Sequence, residues 1–217
     1  VRRNIIWGVD SSSSVDQELY DCVVGNFGPP DFWGRYLNTI PNVSEGLTAE
    51  EIALIKENGM KLLPIYNNFQ EALGYREGTV AARNAIYNAE RLGIDQGVFI
   101  FANIENFFEI DADWLIGWAD VFFESNYRPG FYHDPIEGGF SAAYCEAVER
   151  SENVRVQTVL WSAEPEPGVT PKANHPSYNP ASPDCPANVF AWQYGRDAEM
   201  CPIDTVLIQE QLYNDLH

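Results

Sequence analysis

The chain has 217 residues, 45% of them hydrophobic and 21% charged, enough for one well-buried domain and short for two. Thirteen Lys+Arg against 32 Asp+Glu leave a net charge of -19, which repels phosphate backbones and argues against a nucleic-acid partner. No apolar stretch reaches the length of a membrane span, so no membrane insertion is expected, and no signal peptide is recognisable at Val1.

Strand-like and helix-like segments alternate along the chain. Ile5 to Asp10 reads as a first strand, followed by a serine run that supplies helix caps and by a helical stripe of Val15, Leu19, Cys22 and Val23. Phe32 to Tyr36 makes a short second strand. Thr48 opens a helix with a capping-box pattern that Gly59 stops, and Leu62 to Asn67 is strand three. A helix from about Gly78 to Leu92 leads to strand four, Val98 to Glu105, whose polar tip places Asn103 and Glu105 on one face. Asp111 caps the next helix, Arg128 to Tyr132 is strand five, and Phe140 to Val148 is helical. Val156 to Ala163 reads as strand six. Seven prolines between Pro165 and Pro186 leave no helix before strands seven (Val189 to Tyr194) and eight (Thr205 to Gln209). Eight strands in this alternation imply a parallel sheet closed into a (β/α)8-type TIM barrel, with degenerate helices in the C-terminal part and residues 1–217 as a single domain. A doubly wound sheet is the alternative, but no glycine fingerprint for a dinucleotide is present.

In such a barrel, chemistry gathers at the carboxyl ends of the strands. Polar groups expected there are Asp10, Tyr36, Asn67, Asn103, Glu105, Tyr132, His133, Asp134, Glu164, Gln193 and Tyr194, with Asp204 at the start of strand eight. Trp7, Trp33, Tyr66, Trp161 and Trp192 add aromatic rings near the same rim. Carboxylates among flat rings and amides suit a sugar, whose CH faces stack while its hydroxyls bond to amides and acids. A glycosidase needs one protonated carboxyl for the leaving oxygen and one ionised partner for the developing positive charge. Glu105 has the placement of the acid, and Asp10 and Asp204 are candidates for the partner. His133 beside Asp134 is a possible base or ligand, but three histidines in all make a multi-histidine metal site unexpected, and no cofactor is expected.

The four cysteines show no zinc-ligand spacing. A Cys185–Cys201 bridge would staple the loops flanking strand seven, although spacing does not fix connectivity. Cys22 and Cys145, on apolar helical faces, read as buried thiols. An extracytoplasmic compartment follows if the bridge forms.

Taken in order, Trp7-Gly8-Val9-Asp10-Ser11-Ser12, Leu47-Thr48, Pro64-Ile65-Tyr66, Asn103-Ile104-Glu105, Gly130-Phe131-Tyr132, Leu160-Trp161-Ser162-Ala163, Trp192-Gln193-Tyr194 and Ile203-Asp204 resemble the bacterial glycoside hydrolase-like domains of unknown function. These are in turn similar to the family 25 lysozymes, which are muramidases on a barrel with degenerate helices. The resemblance implies catalytic roles for Asp10, Glu105 and Asp204, with Glu105 as general acid. Asn103, counted in the catalytic set as the group that holds the substrate acetamido, stands where the lysozyme pattern has Asp. Substrate-binding positions expected with them are Trp7, Tyr36, Tyr66, Tyr132, Trp161, Trp192, Gln193 and Tyr194. The expected partner is a cell-wall glycan bearing N-acetyl groups, peptidoglycan or chitin-like, met by a secreted or wall-associated monomer. A glycan-binding module without turnover is the alternative.

Overall fold

The computed structural model describes residues 4–217. Eight strands close in chain order into a barrel: β1 Ile5–Asp10, β2 Phe32–Tyr36, β3 Lys61–Tyr66, β4 Phe99–Asn103, β5 Arg128–His133, β6 Val159–Ser162, β7 Val189–Gly195 and β8 Asp204–Gln209. Helices α1 Gln17–Phe27, α2 Ala49–Glu57, α3 Tyr75–Arg91, α4 Ala112–Phe123, α5 Phe140–Arg150 and α6 Glu152–Gln157 cover the outside, and α7 Glu210–Asn214 follows β8. Between β6 and β7 the proline-rich segment holds only a 3-10 turn, Lys172–Asn174, where a barrel helix would otherwise stand.

The sheet departs from the parallel expectation at its last strand. β1 to β7 pair in parallel, but β8 runs antiparallel to both β7 and β1. The cause is connection length. Only residues 196–203 separate β7 from β8, and a parallel crossover needs a dozen or more. Reversal carries the beginning of β8 to the rim where β1 ends, so that Asp204 stands opposite Asp10 in register.

Two apolar layers hold the barrel. Inside it, Phe32, Leu63, Ile65, Phe99, Phe101, Val159, Trp161, Ala191, Val206 and Ile208 pack together, and Leu212 and Leu216 close one end. Glycines make room for the large rings: a Cβ on Gly8 would lie 2.5 Å from the Phe32 ring, and one on Gly130 2.6 Å from Phe101. Between sheet and helices lies a second core that includes Val9, Trp33, Leu62, Ile100, Trp114, Trp118 and Phe131. Each fully buried side chain of this size contributes roughly 1.5–3 kcal/mol.

Local details differ from expectation for physical reasons. Asp16, not the serine run, caps α1 by accepting the Leu19 N–H at 2.8 Å. Thr48 caps α2, but the Glu51 carboxylate, instead of closing the capping box, takes the Val15 N–H and the buried Arg35 guanidinium. β6 starts later than expected because Ser151 caps the short helix α6. The expected Cys185–Cys201 bridge is absent and no cysteine is a buried thiol: Cys22 pairs with Cys201, tying α1 to the β7–β8 hairpin, and Cys145 pairs with Cys185, tying α5 to the proline-rich segment.

Candidate active site

Side chains alternate across each strand, so parity decides which ones face the barrel interior. Asp10, Tyr36, Asn103, Tyr132, Trp161, Gln193 and Asp204 share the inward parity of the interior core, and with Glu105 they line a cavity of about 180 Å³. An adjoining cavity of about 280 Å³ shares Asp10, Tyr36 and Asp204 and extends past Ser11, Ser12 and the hairpin residues 197–203. The second space makes the mouth elongated.

Four of the expected binding aromatics lie elsewhere. Trp7, Tyr66, Trp192 and Tyr194 belong to the core between sheet and helices. Trp7 Nε1 donates to the Tyr194 hydroxyl at 2.9 Å, Trp192 Nε1 donates to the Pro165 carbonyl at 2.8 Å, and Tyr66 packs against Phe69 and Trp118. Three positions separate Trp7 from Asp10, and Trp192 and Tyr194 flank Gln193; odd spacing in a strand means opposite faces. Trp33 faces outward too and donates to the Ser11 hydroxyl. His133 is fully buried against Phe140, with ring centroids 4.3 Å apart, and burial pushes its imidazole down to about 4. A neutral, enclosed ring of this kind is no base for the barrel mouth. Asp134 accepts the Ile136 and Glu137 N–H groups and shapes a turn, while Asn67 donates to the Ser44 hydroxyl.

The groups that do converge form one hydrogen-bonded chain. Tyr132 donates its hydroxyl proton to Gln193 Oε1 at 2.7 Å, which fixes the amide's orientation. Gln193 Nε2 then donates to Asp10 at 2.9 Å and to Asp204 at 3.1 Å. The Asp197 N–H adds a 2.7 Å bond to the other Asp204 oxygen. Burial pushes Asp10 well above the usual carboxylate range, and the negative charge of Asp204 adds to that push while Gln193 opposes it. Burial also pushes Asp204 up, to about 6, against the pull of the Asp197 N–H. Two like charges this close share a proton. Tyr36 and Tyr132 are likewise driven upward by burial and by the surrounding carboxylates, so both hydroxyls remain donors.

Glu105 lies just beyond β4, which ends at Asn103, rather than within the strand. The two side chains still meet: Asn103 Nδ2 donates to Glu105 Oε1 at 2.9 Å. Trp161 forms part of the cavity wall, edge-on to Tyr132 and Phe101, and its indole N–H is buried without an acceptor. Sequence reasoning missed Arg196. It follows β7 directly, lines the cavity, and is held by Glu164 at 3.0 Å and Glu166 at 2.9 Å. A basic residue just past the Trp-Gln-Tyr strand was the available signal. Glu164, expected at the rim, serves there as the anchor of Arg196. Among the described residues no cluster of His, Cys, Asp or Glu is arranged to hold a metal ion.

A family model described as Rv2525c-like, glycoside hydrolase-like domain matches residues 28–170. The match includes Tyr36, Asn103, Glu105, Tyr132 and Trp161 and stops before β7. An uncharacterized protein of B. stearothermophilus is 55% identical, with a TM-score of 0.96 over 98% of this chain and 100% of that one. The Tat-secreted protein Rv2525c of Mycobacterium tuberculosis, in complex with HEPES, is 12% identical with a TM-score of 0.64, covering 97% of this chain and 98% of that one. The spore cortex lytic enzyme SleM of Clostridium perfringens is 16% identical with a TM-score of 0.62, covering 98% of this chain and 69% of that one. The last two likenesses are likenesses of fold. No curated protein matches the chain.

Proposed function

Because the chain belongs to the Rv2525c-like, glycoside hydrolase-like domain family, we propose that it is a glycosidase that cleaves an N-acetylated β-glycan of the cell wall, with Glu105 as general acid. The observation that carries this reading is the pairing of Glu105, steadied by Asn103, with the proton-sharing Asp10 and Asp204 around one cavity. In this mechanism Glu105 protonates the leaving glycosidic oxygen. Asp204, ionised above about pH 6, faces the positive charge that develops on the sugar ring, while Asp10, raised by burial beside it, shares its proton. Gln193 keeps both carboxyls in place. Asn103 spends its N–H on Glu105 and offers its amide oxygen to the N–H of a substrate acetamido group. Trp161 supplies an apolar wall, Tyr36 contributes a hydroxyl donor, and Tyr132 holds Gln193 in place.

The protein acts as a single-domain monomer outside the cytoplasm. Its two disulfides suit an oxidising compartment, and the Tat-secreted relative agrees with that placement. Peptidoglycan is the favoured glycan, in keeping with the spore cortex lytic enzyme of like fold. Incubation with purified peptidoglycan, followed by mass spectrometry of the soluble fraction, tests the reading: fragments ending in a reducing N-acetylated sugar are expected, and an intact polymer would contradict it.

Asn103 itself favours a second reading, a glycan-binding module without turnover, because an amide supplies no negative charge where the resembling lysozymes carry Asp. In that case the wild type retains glycan without cutting it, and Asn103→Asp creates activity. In a working enzyme the same substitution brings little gain.

A further inference from the structure

A groove of about 490 Å³, larger than either cavity at the barrel mouth, runs along the helical layer between α3, α4 and α6. Its α3 wall carries Arg76 and Arg83, seven residues apart and therefore on one face of the helix, about 10 Å from each other along the axis. Both are exposed, and neither forms an ion pair among the described residues; Arg83 reaches the Thr79 hydroxyl at 3.5 Å. In a chain of net charge -19, Arg76 and Arg83 set two neighbouring cations on one face of α3. Tyr75, 48% exposed, and Phe123, 57% exposed, add aromatic surface to the same groove.

The floor is built to stay in place. Asp120 accepts the Tyr75 hydroxyl at 3.0 Å and Asn153 Nδ2 at 2.8 Å, linking the three helices through one carboxylate. α3 and α4 are in backbone contact: a Cβ on Gly117 would lie 2.2 Å from the Tyr75 carbonyl oxygen. The opposite wall carries Glu124 in addition to Asp120, so the groove is cationic on one side and acidic on the other.

We propose that this groove is a second binding site, independent of the barrel mouth, for a short acidic peptide. Two of its carboxylates pair with Arg76 and Arg83, and an apolar side chain between them contacts Tyr75 and Phe123. A peptide in polyproline II conformation repeats its side-chain direction every third residue, about 9 Å along its axis, which matches the arginine spacing. A uniform polyanion such as a phosphate polymer fits poorly, since it cannot turn its charge away from Asp120 and Glu124. A peptide can turn its carboxylates to the α3 wall and its backbone N–H groups to the acidic one.

The test is a titration of acetyl-Glu-Pro-Leu-Glu-amide into the full chain, labelled with 15N, at low and high salt. Saturable shifts confined to residues of the groove are expected, weakened by salt. Affinity should fall at least tenfold in the Arg76→Gln/Arg83→Gln double variant, which alters exposed positions only, and should be unchanged in Glu105→Gln. The same peptide with both Glu replaced by Gln should not bind. Absence of saturable shifts, undiminished affinity in the double variant, or preferential saturation of the groove by inorganic polyphosphate would each overturn the proposal.

Discussion

Gln193 has two amide hydrogens, and each is directed at a different carboxylate, while its oxygen is held by Tyr132. One amide thereby keeps Asp10 and Asp204 together although their charges oppose each other. The arrangement has a cost that pH reveals. A carboxyl whose folded pKa is raised from 3.8 to about 6 binds its proton more tightly in the folded state. Stability from this source is fully present below about pH 4 and is lost as pH rises through 6. Asp204→Asn removes the ionised buried group yet can still accept the Asp197 N–H. Its melting temperature should exceed that of the wild type by a few degrees at pH 7, with the difference vanishing near pH 4. A variant less stable than the wild type at both pH values would show that the carboxylate's hydrogen bonds outweigh its burial. Catalysis should move the other way: if Asp204 must be ionised, the acidic limb of kcat/KM lies near pH 6 and disappears in the variant.

At the scale of elements, the β7–β8 hairpin decides whether the site exists. It brings Asp204 to the rim, and its loop supplies the Asp197 N–H and is fastened to α1 through Cys22–Cys201. Replacing both cysteines by serine should lower unfolding free energy by about 2–5 kcal/mol, measured by urea denaturation, and should weaken turnover further by freeing the loop. An unchanged midpoint would show that the bridge does not stabilise the fold. Gly34 makes a comparable demand: a Cβ there would lie 2.7 Å from Asp10 Cβ and 3.4 Å from Trp161. Gly34→Ala should therefore impair activity on any glycan substrate more than it impairs folding. The barrel, its strands and the placement of Asp10, Asn103, Glu105, Gln193 and Asp204 at strand ends were legible in the alternation of apolar runs with polar tips, but which carboxylates meet was not. The direction of β8 was legible too, had the eight-residue gap been weighed against what a crossover requires. Nearness in sequence puts Trp7, Tyr66, Trp192 and Tyr194 by the rim, whereas strand parity sends them outward. The cysteine pairing was not legible, because Cys22–Cys201 joins positions 179 residues apart that only barrel closure brings together.

Across the whole molecule, pH acts on stability through two buried groups of opposite sign. His133, lowered to about 4 from an ordinary value of 6.5, resists protonation in the folded state, so stability is lost as pH falls from about 6.5 toward 4. Asp204 works against this loss over much of the same interval. His133→Leu should flatten the acid decline in melting temperature, whereas Asp204→Asn should steepen it; the same slope in both variants would mean that neither group governs the decline. The net charge of -19 sets the broader behaviour, favouring solubility and a neutral or locally compensated glycan over a polyanion. In the proposed reaction, a barrel mouth with one glutamate steadied by Asn103 and one proton-sharing aspartate pair cleaves glycosidic bonds. Its most direct test is the initial rate of reducing-end release from peptidoglycan and from N-acetylglucosamine oligomers, measured for the wild type and Glu105→Gln together. Activity is expected in the wild type on at least one of the two substrates, with a loss of about 10²–10⁴-fold in the variant. Equal rates in the two proteins, or no release by either, would contradict it.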